Sequence, residues 1–180
     1  MDTAQQYDKY VITSMLASVE PIVVESGSGC TVTGTDGKEY LDCFAGIAVT
    51  NAGHCHPRVI AAAKAQMDKL VHCCTYVYYS PTAGEFCRRL AEVTPGRLQK
   101  SFLANSGAEA NEGAMRLCRQ FTKQWEYLAL TASFHGRTNA TLSVTGNAGR
   151  KKGGGPYLTG VAFAPAPYCY RCPLNCTYPA

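Results

Sequence analysis

The chain has 180 residues, 46% of them hydrophobic and 17% charged, with a net charge of +4. This composition suits one ordinary globular domain, or a piece of a larger one, with enough apolar residues to bury a core. It argues against nucleic-acid binding, because the basic residues are dispersed except for Arg150-Lys151-Lys152, read as a solvated loop, and no apolar run approaches membrane-spanning length.

The N-terminal "MDTAQQYDKYVITS" carries acidic residues and no compact apolar segment ahead of a cleavage site, so a cytoplasmic protein is expected. A disulfide scaffold would be small and loop-rich. The ten cysteines include the adjacent pair Cys73-Cys74 and Cys118 on an apolar helix face, and are therefore expected as reduced thiols serving as small apolar residues.

Taken in chain order, residues 1–20 are expected to contain a short helix. Residues 22–43, "IVVESGSGCTVTGTDGKEYLDC", alternate β-branched runs with turn formers, and Asp36-Gly37 is a tight-turn signal, which predicts a hairpin or small meander. Pro57 stands at a favoured first helical position, and Val59, Ile60, Ala63, Met67 and Leu70 trace an amphipathic stripe behind it. A further helix is expected over 82–93. Ser101-Phe102-Leu103-Ala104 reads as a short buried strand. A helix then starts near Gly107, with apolar positions at Ala110, Ala114, Leu117, Cys118, Phe121 and Trp125. A strand at 127–131, a helix from about Thr138 and a strand at 160–165 complete the pattern. Strands alternating with helices predict an α/β fold: a mainly parallel sheet covered by helices on both faces, preceded by the small β segment.

In such sheets ligands gather beyond the carboxyl ends of the strands. Two loops lie there. In the first, Ser106 and Glu109 stand in the S-x-x-E relation of a capping box. The first backbone N–H groups of the helix lack intrahelical acceptors, and Gly107 has no side chain to keep an anionic oxygen away, so this corner suits a phosphate. The second loop, "SFHGRT" at 133–138, offers the flat face of Phe134 and the forked cation of Arg137, suited to a carboxylate. Each feature also has an ordinary structural explanation: a core phenylalanine, a capped helix end, a surface arginine.

The runs "FLANSGAEANEGAMRLCR" and "SFHGRTNATLSVTG", with "GTDGKEYLDCFAGIAVTNAGHCHPRVIAAAKAQMDKL" upstream, resemble the N-terminal half of the class III pyridoxal-phosphate-dependent aminotransferases. That family includes 4-aminobutyrate, ornithine, acetylornithine and alanine–glyoxylate aminotransferases. The resemblance implies the fold type I architecture of pyridoxal-phosphate-dependent transferases. Residues 1–50 would belong to the small domain, and residues 51–180 would form the first part of the large cofactor-binding domain. It implies pyridoxal 5'-phosphate as cofactor, with Ser106, Gly107 and Ala108 at its phosphate and Phe134 and His135 at its ring. It implies Arg137 at a substrate carboxylate, and Tyr78 and Tyr79 at the substrate pocket or, alternatively, in a dimer interface. The partners implied are a small amino donor, a keto-acid or aldehyde acceptor, and a second copy of the chain.

Transamination also needs a lysine for the internal Schiff base and an acidic partner for the pyridinium nitrogen. By the resemblance both are expected beyond Ala180, so no catalytic residue is expected within these residues. Lys100, Lys123, Lys151 and Lys152 read as solvated. The expectation is an N-terminal fragment, inactive by itself. The competing reading is a non-catalytic assembly or metal-binding module. Its metal would lie at Cys169, Cys172 and Cys176, whose C-x-x-C spacing plus a third cysteine can hold zinc or an iron–sulfur cluster. His54 and His56 are a further pair with ligand chemistry, read instead as satisfying local backbone groups.

Overall fold

The computed structural model describes residues 1–12 and 19–176, and the chain divides into two compact units, Met1–Glu85 and Phe86–Ala180. Of the span expected to hold the first helix, residues 13–18 lie outside the described residues.

In the first unit, helix α1 (Thr3–Tyr10) begins at Asp2. The Asp2 carboxylate accepts the Gln5 N–H at 2.9 Å while the Gln5 side-chain oxygen accepts the Asp2 N–H at 2.9 Å, a reciprocal cap. Strands β1 (Val24–Ser28), β2 (Thr31–Gly34) and β3 (Glu39–Leu41) form the antiparallel meander in the order β1-β2-β3, with Val32 opposite Tyr40 and Thr33 opposite Glu39. The β2–β3 turn is the Asp36-Gly37 turn expected from the sequence, closed by the Lys38 N–H donating to Asp36 Oδ1 at 3.1 Å.

After β3 the chain makes a single turn, α2 (Ala45–Ala48), wound left-handed: φ is 49° at Ala45, 60° at Gly46, 62° at Ile47 and 58° at Ala48. Three of these four residues carry side chains, so the turn holds strain that only the glycine escapes. Asp42 organises its entry. Its Oδ1 accepts the N–H groups of Phe44 and Ala45 at 2.8 and 2.9 Å, and its Oδ2 lies 2.6 Å from His54 Nε2. His54 thus meets a carboxylate rather than the backbone partner that the sequence suggested. Helix α3 (Pro57–Met67) opens with its proline at the first position, as expected, and α4 (Pro81–Val93) covers the next predicted helix. The apolar stripe of α3 is not buried, however: Val59, Ile60, Met67 and Leu70 are all exposed.

The second unit contains α5 (Gly107–Thr122), β4 (Tyr127–Leu130), α6 (Asn139–Val144), α7 (Ala148–Lys151), β5 (Val161–Ala164) and a short 3-10 turn at Cys169–Arg171. β4 and β5 pair in parallel, Tyr127 opposite Val161 through Leu130 opposite Ala164, as the alternating pattern required. Among the described residues the cover is incomplete: Ala129 is buried and the Tyr127 hydroxyl donates to the Met115 carbonyl of α5 at 2.7 Å, while Leu128, Leu130 and Phe163 are exposed. Residues 101–104 form no strand. A strand needs a hydrogen-bonded neighbour, and none stands beside this segment among the described residues. Phe102 instead lays its ring against α5 at Gly113, where an added β-carbon would sit 2.9 Å from the ring. The helical stripe that seemed to run to Trp125 stops at Thr122, because Lys123 turns left-handed (φ 59°) and its N–H closes on the Arg119 carbonyl at 2.9 Å.

The buried interior is small and partly polar. Ala129 and Val144 are its buried hydrophobic residues, and Thr141, Ser143 and Thr145 are buried beside them. Cys118, expected inside, is exposed, and all ten cysteines are free. Lys151, read from the sequence as solvated, is half-buried. Its Nζ donates to the Ser143 carbonyl at 3.1 Å and lies 4.4 Å from the Tyr157 ring centre and 4.9 Å from that of Phe163.

Candidate functional site

The corner before α5 is built by Ser106. Its backbone is extended (φ −152°, ψ 161°), and its hydroxyl accepts the Glu109 N–H at 3.1 Å. The return half of the predicted capping box is displaced by one residue. Glu109 Oε2 accepts the N–H of Asn105 at 2.8 Å and its side-chain amide at 3.2 Å, rather than the Ser106 N–H. The N–H groups of Gly107 and Ala108 stay without intrahelical acceptors at the positive end of a 16-residue helix. A β-carbon at Gly107 would meet no atom within 4 Å, so the start of α5 is open on that side.

The second loop reaches this corner directly. Gly136 is buried with φ 137°, and an added β-carbon there would sit 2.7 Å from Ala108 Cβ and 2.6 Å from Thr141 Oγ1. Only a residue without a side chain fits that gap. Around it the loop is tied on both sides. The His135 N–H donates to Thr145 Oγ1 at 3.1 Å, and the His135 carbonyl accepts the Asn111 side-chain amide at 2.9 Å. The Thr138 N–H donates to Thr141 Oγ1 at 3.1 Å, and Thr138 Oγ1 donates to Glu112 Oε1 at 2.6 Å. At the loop's start, Ser133 Oγ donates to the Leu130 carbonyl at 2.6 Å and accepts the Gly146 N–H at 3.1 Å.

Phe134 leaves half of its surface open, with the Arg137 guanidinium 5.4 Å and the Arg150 guanidinium 5.6 Å from its ring centre. Neither arginine pairs with a carboxylate among the described residues, which leaves both charges available to an anion. The structure therefore brings Ser106, Gly107, Ala108, Phe134, His135 and Arg137 onto one adjoining pair of loops. Tyr78 and Tyr79 belong to the first unit, where both are exposed and the Tyr78 N–H donates to the Cys74 carbonyl at 3.1 Å.

Sequence reading missed Asn111, Glu112, Thr141, Thr145 and Arg150. A signal was present for the threonines: Thr138, Thr141 and Thr145 recur at helical spacing, a hydroxyl stripe where apolar residues would be expected. No such signal marks Arg150, which Asn147 brings inward by accepting the Arg150 N–H and capping α7.

Among the described residues no group of three His, Cys, Asp or Glu side chains is placed to hold a metal ion, Cys169, Cys172 and Cys176 included. Cys172 is nevertheless distinctive. The backbone N–H groups of Cys176 and Leu174, with a smaller contribution from the Cys176 thiol, hold its pKa below the ordinary thiol value.

A parallel βαβ arrangement with a phosphate-ready helix start and an aromatic–arginine loop at its carboxyl edge defines a class of α/β ligand-binding protein. Comparison with known proteins makes this specific: residues 14–178 match the class-III aminotransferase family model, and the chain belongs to that family. It is 43% identical over 145 residues to acetylornithine aminotransferase of Methanopyrus kandleri, covering 81% of this chain and 36% of that protein. It is 36% identical over 165 residues to 4-aminobutyrate aminotransferase of Escherichia coli, covering 89% of this chain and 37% of that one. Among solved structures, an (S)-enantioselective omega-transaminase from Thermomicrobium roseum superposes with a TM-score of 0.81 at 30% identity, over 95% of this chain and 42% of that one. The omega-transaminase from Pseudomonas jessenii in complex with PMP gives 0.83 at 25% identity, over 97% and 41%. The chain thus spans little more than a third of the length of the curated relatives it matches, and the fold is that of these transaminases.

Proposed function

We propose that these residues form the phosphate-holding and ring-facing part of a pyridoxal-phosphate-dependent aminotransferase, which moves an amino group between an amino acid or omega-amino acid and a keto acid or aldehyde. The observation that carries this reading is the contact of Gly136 with Ala108, which ties the loop carrying Phe134 and Arg137 to the start of α5. An anionic group on a flat ring fits such a pair of loops. When bound, pyridoxal phosphate supplies an electron sink for the carbon bearing the amino group. The residues described here have other tasks. The Gly107 and Ala108 amides and the Ser106 hydroxyl bind the phosphate, Phe134 and His135 orient the ring, and Arg137 holds a substrate carboxylate through its planar fork.

Lys151 is not proposed for the lysine chemistry, because it is engaged with Ser143, Tyr157 and Phe163. Tyr78 and Tyr79 are proposed for the substrate pocket. The small-domain and large-domain division at residues 50/51, a homodimeric assembly and a cytoplasmic location belong to the same proposal. Among the described residues no helix is long and apolar enough to cross a membrane.

The test uses the enzyme that contains this chain and its Gly107→Asp variant. Open space at residue 107 predicts unchanged folding, while the added negative charge faces the phosphate position. Pyridoxal-phosphate affinity is expected to fall at least about tenfold, corresponding to about 1.4 kcal/mol. Unaltered affinity would remove the phosphate corner from the reading.

A further inference from the structure

We propose that Thr138, Thr141 and Thr145, ending on Glu112, are positioning residues that fix Arg137 for a substrate carboxylate. This rests on the reading of Arg137 given above. Directionality follows from donor and acceptor chemistry. The Glu112 carboxylate only accepts, so the Thr138 hydroxyl proton, 2.6 Å away, points to it. The free lone pairs of Thr138 Oγ1 then accept from Thr141 Oγ1 at 2.7 Å. Thr141 Oγ1 in turn receives the Thr138 N–H at 3.1 Å. One helical turn on, the Thr145 hydroxyl donates to the Thr141 carbonyl at 2.8 Å, which leaves its oxygen to accept the His135 N–H at 3.1 Å.

The hydroxyls of Thr145 and Thr141, joined through the Thr141 carbonyl, therefore grip the backbone at His135 on one side of Arg137 and at Thr138 on the other. Asn111 adds a hold on the His135 carbonyl at 2.9 Å. Thr141 and Thr145 are fully buried, so water does not compete at the inner end, while Glu112 and Thr138 anchor the outer end on helix α5. The same helix begins at Gly107. One rigid element thus sets both the phosphate corner and the loop carrying Arg137, and an error in the hydroxyl chain displaces the guanidinium without touching the corner.

The experiment compares the wild-type enzyme with Thr141→Val, Thr138→Val and Thr138→Ser. Hydrogen exchange of the Thr138 amide, which donates to Thr141 Oγ1, is read by mass spectrometry without substrate and is expected to accelerate about tenfold in both valine variants, the effect of losing about one hydrogen bond. Thr138→Ser, which keeps the hydroxyl, is expected to exchange like wild type. With a carboxylate-bearing amino donor the valine variants should raise KM about tenfold while kcat and pyridoxal-phosphate affinity hold, since binding and not chemistry is disturbed. The KM for an amine donor without a carboxylate should not move. Thr138→Val lies at the exposed end and keeps the test available if Thr141→Val fails to fold. Unchanged exchange in Thr138→Val, or equal KM effects on both donors, would overturn the proposal. Accelerated exchange in the valine variants of an enzyme whose wild type shows no transamination would instead overturn the functional reading, and with it the role given to Arg137, while the hydroxyl contacts themselves are confirmed.

Discussion

Gly136 and Ala108 touch across the site: a β-carbon at residue 136 would lie 2.7 Å from that of Ala108, with φ 137° at the glycine. Gly136→Ala must therefore push the 133–138 loop away from the start of α5 and also place a side chain in a backbone region that only glycine adopts freely. A loss of about 1–3 kcal/mol of stability is expected from the backbone strain alone. Thermal unfolding should show it, together with weaker cofactor binding, because the ring-facing and phosphate-holding loops would no longer meet. An Ala variant with wild-type melting and wild-type cofactor affinity would contradict the contact. Gly107→Asp is the converse case, with cofactor affinity lost and folding retained.

How much of this was legible beforehand depends on whether a residue's partner is local. The Ser106 cap, the Asp36-Gly37 turn and the proline start of α3 are settled within a few residues, and each stands where the sequence puts it. The strand at 101–104 and the covered sheet needed neighbours that apolar periodicity assumes but does not identify. Cys118 failed for the same reason: its position on an apolar face says that it can be buried, not that anything covers it. Glu109 was misassigned by a single residue, since the Asn105 N–H outcompeted that of Ser106 for its carboxylate. Arg150 and Lys151 looked like a charged loop because their aromatic partners Phe134 and Phe163, 16 and 12 residues away, are invisible to local pattern.

Arg137→Lys keeps the charge near Phe134 but loses the planar fork that matches a carboxylate. The expected outcome is a rise in KM for carboxylate-bearing substrates of about tenfold or more, with cofactor affinity within about twofold of wild type. Steady-state kinetics alongside a cofactor titration separates the two. Equal losses in both would make Arg137 a structural residue of the loop.

The Asp42–His54 contact makes a pH prediction for the first unit. Hydrogen bonding from His54, then from the N–H groups of Ala45 and Phe44, lowers the Asp42 pKa below the ordinary aspartate value of about 3.9. A depressed folded-state pKa means that the stabilisation is complete above the unfolded value and disappears as pH falls through the folded one. Hydrogen exchange at the Phe44 and Ala45 amides should therefore stay slow down to about pH 4 and accelerate only in more acidic solution, once corrected for intrinsic rates. Asp42→Asn keeps an oxygen acceptor for both amides but cannot ionise, so its corrected exchange should not depend on pH across that window. A variant with the same acid-induced rise would assign the effect to another group.

Cys172 makes the last prediction, because a thiol whose pKa is lowered by two backbone N–H donors is ionised at lower pH than an ordinary thiol. The thiolate is the nucleophile, so iodoacetamide at neutral pH should label Cys172 ahead of Cys169, even though Cys169 is exposed and Cys172 only half-buried. Accessibility alone predicts the opposite order, which makes the comparison decisive. Quenching at short times and mapping the labelled peptide gives the ranking, and repeating it across pH gives the ionisation order. The Cys176 thiol also lowers the Cys172 value, as the smaller cause beside the two amides. Cys176→Ser retains its backbone N–H and is therefore expected to slow the labelling of Cys172 only slightly. If Cys176→Ser abolished the early labelling, the stabilisation would come from the thiol contact and not from the backbone, and labelling of Cys169 first in the wild type would remove the activated-thiol assignment altogether.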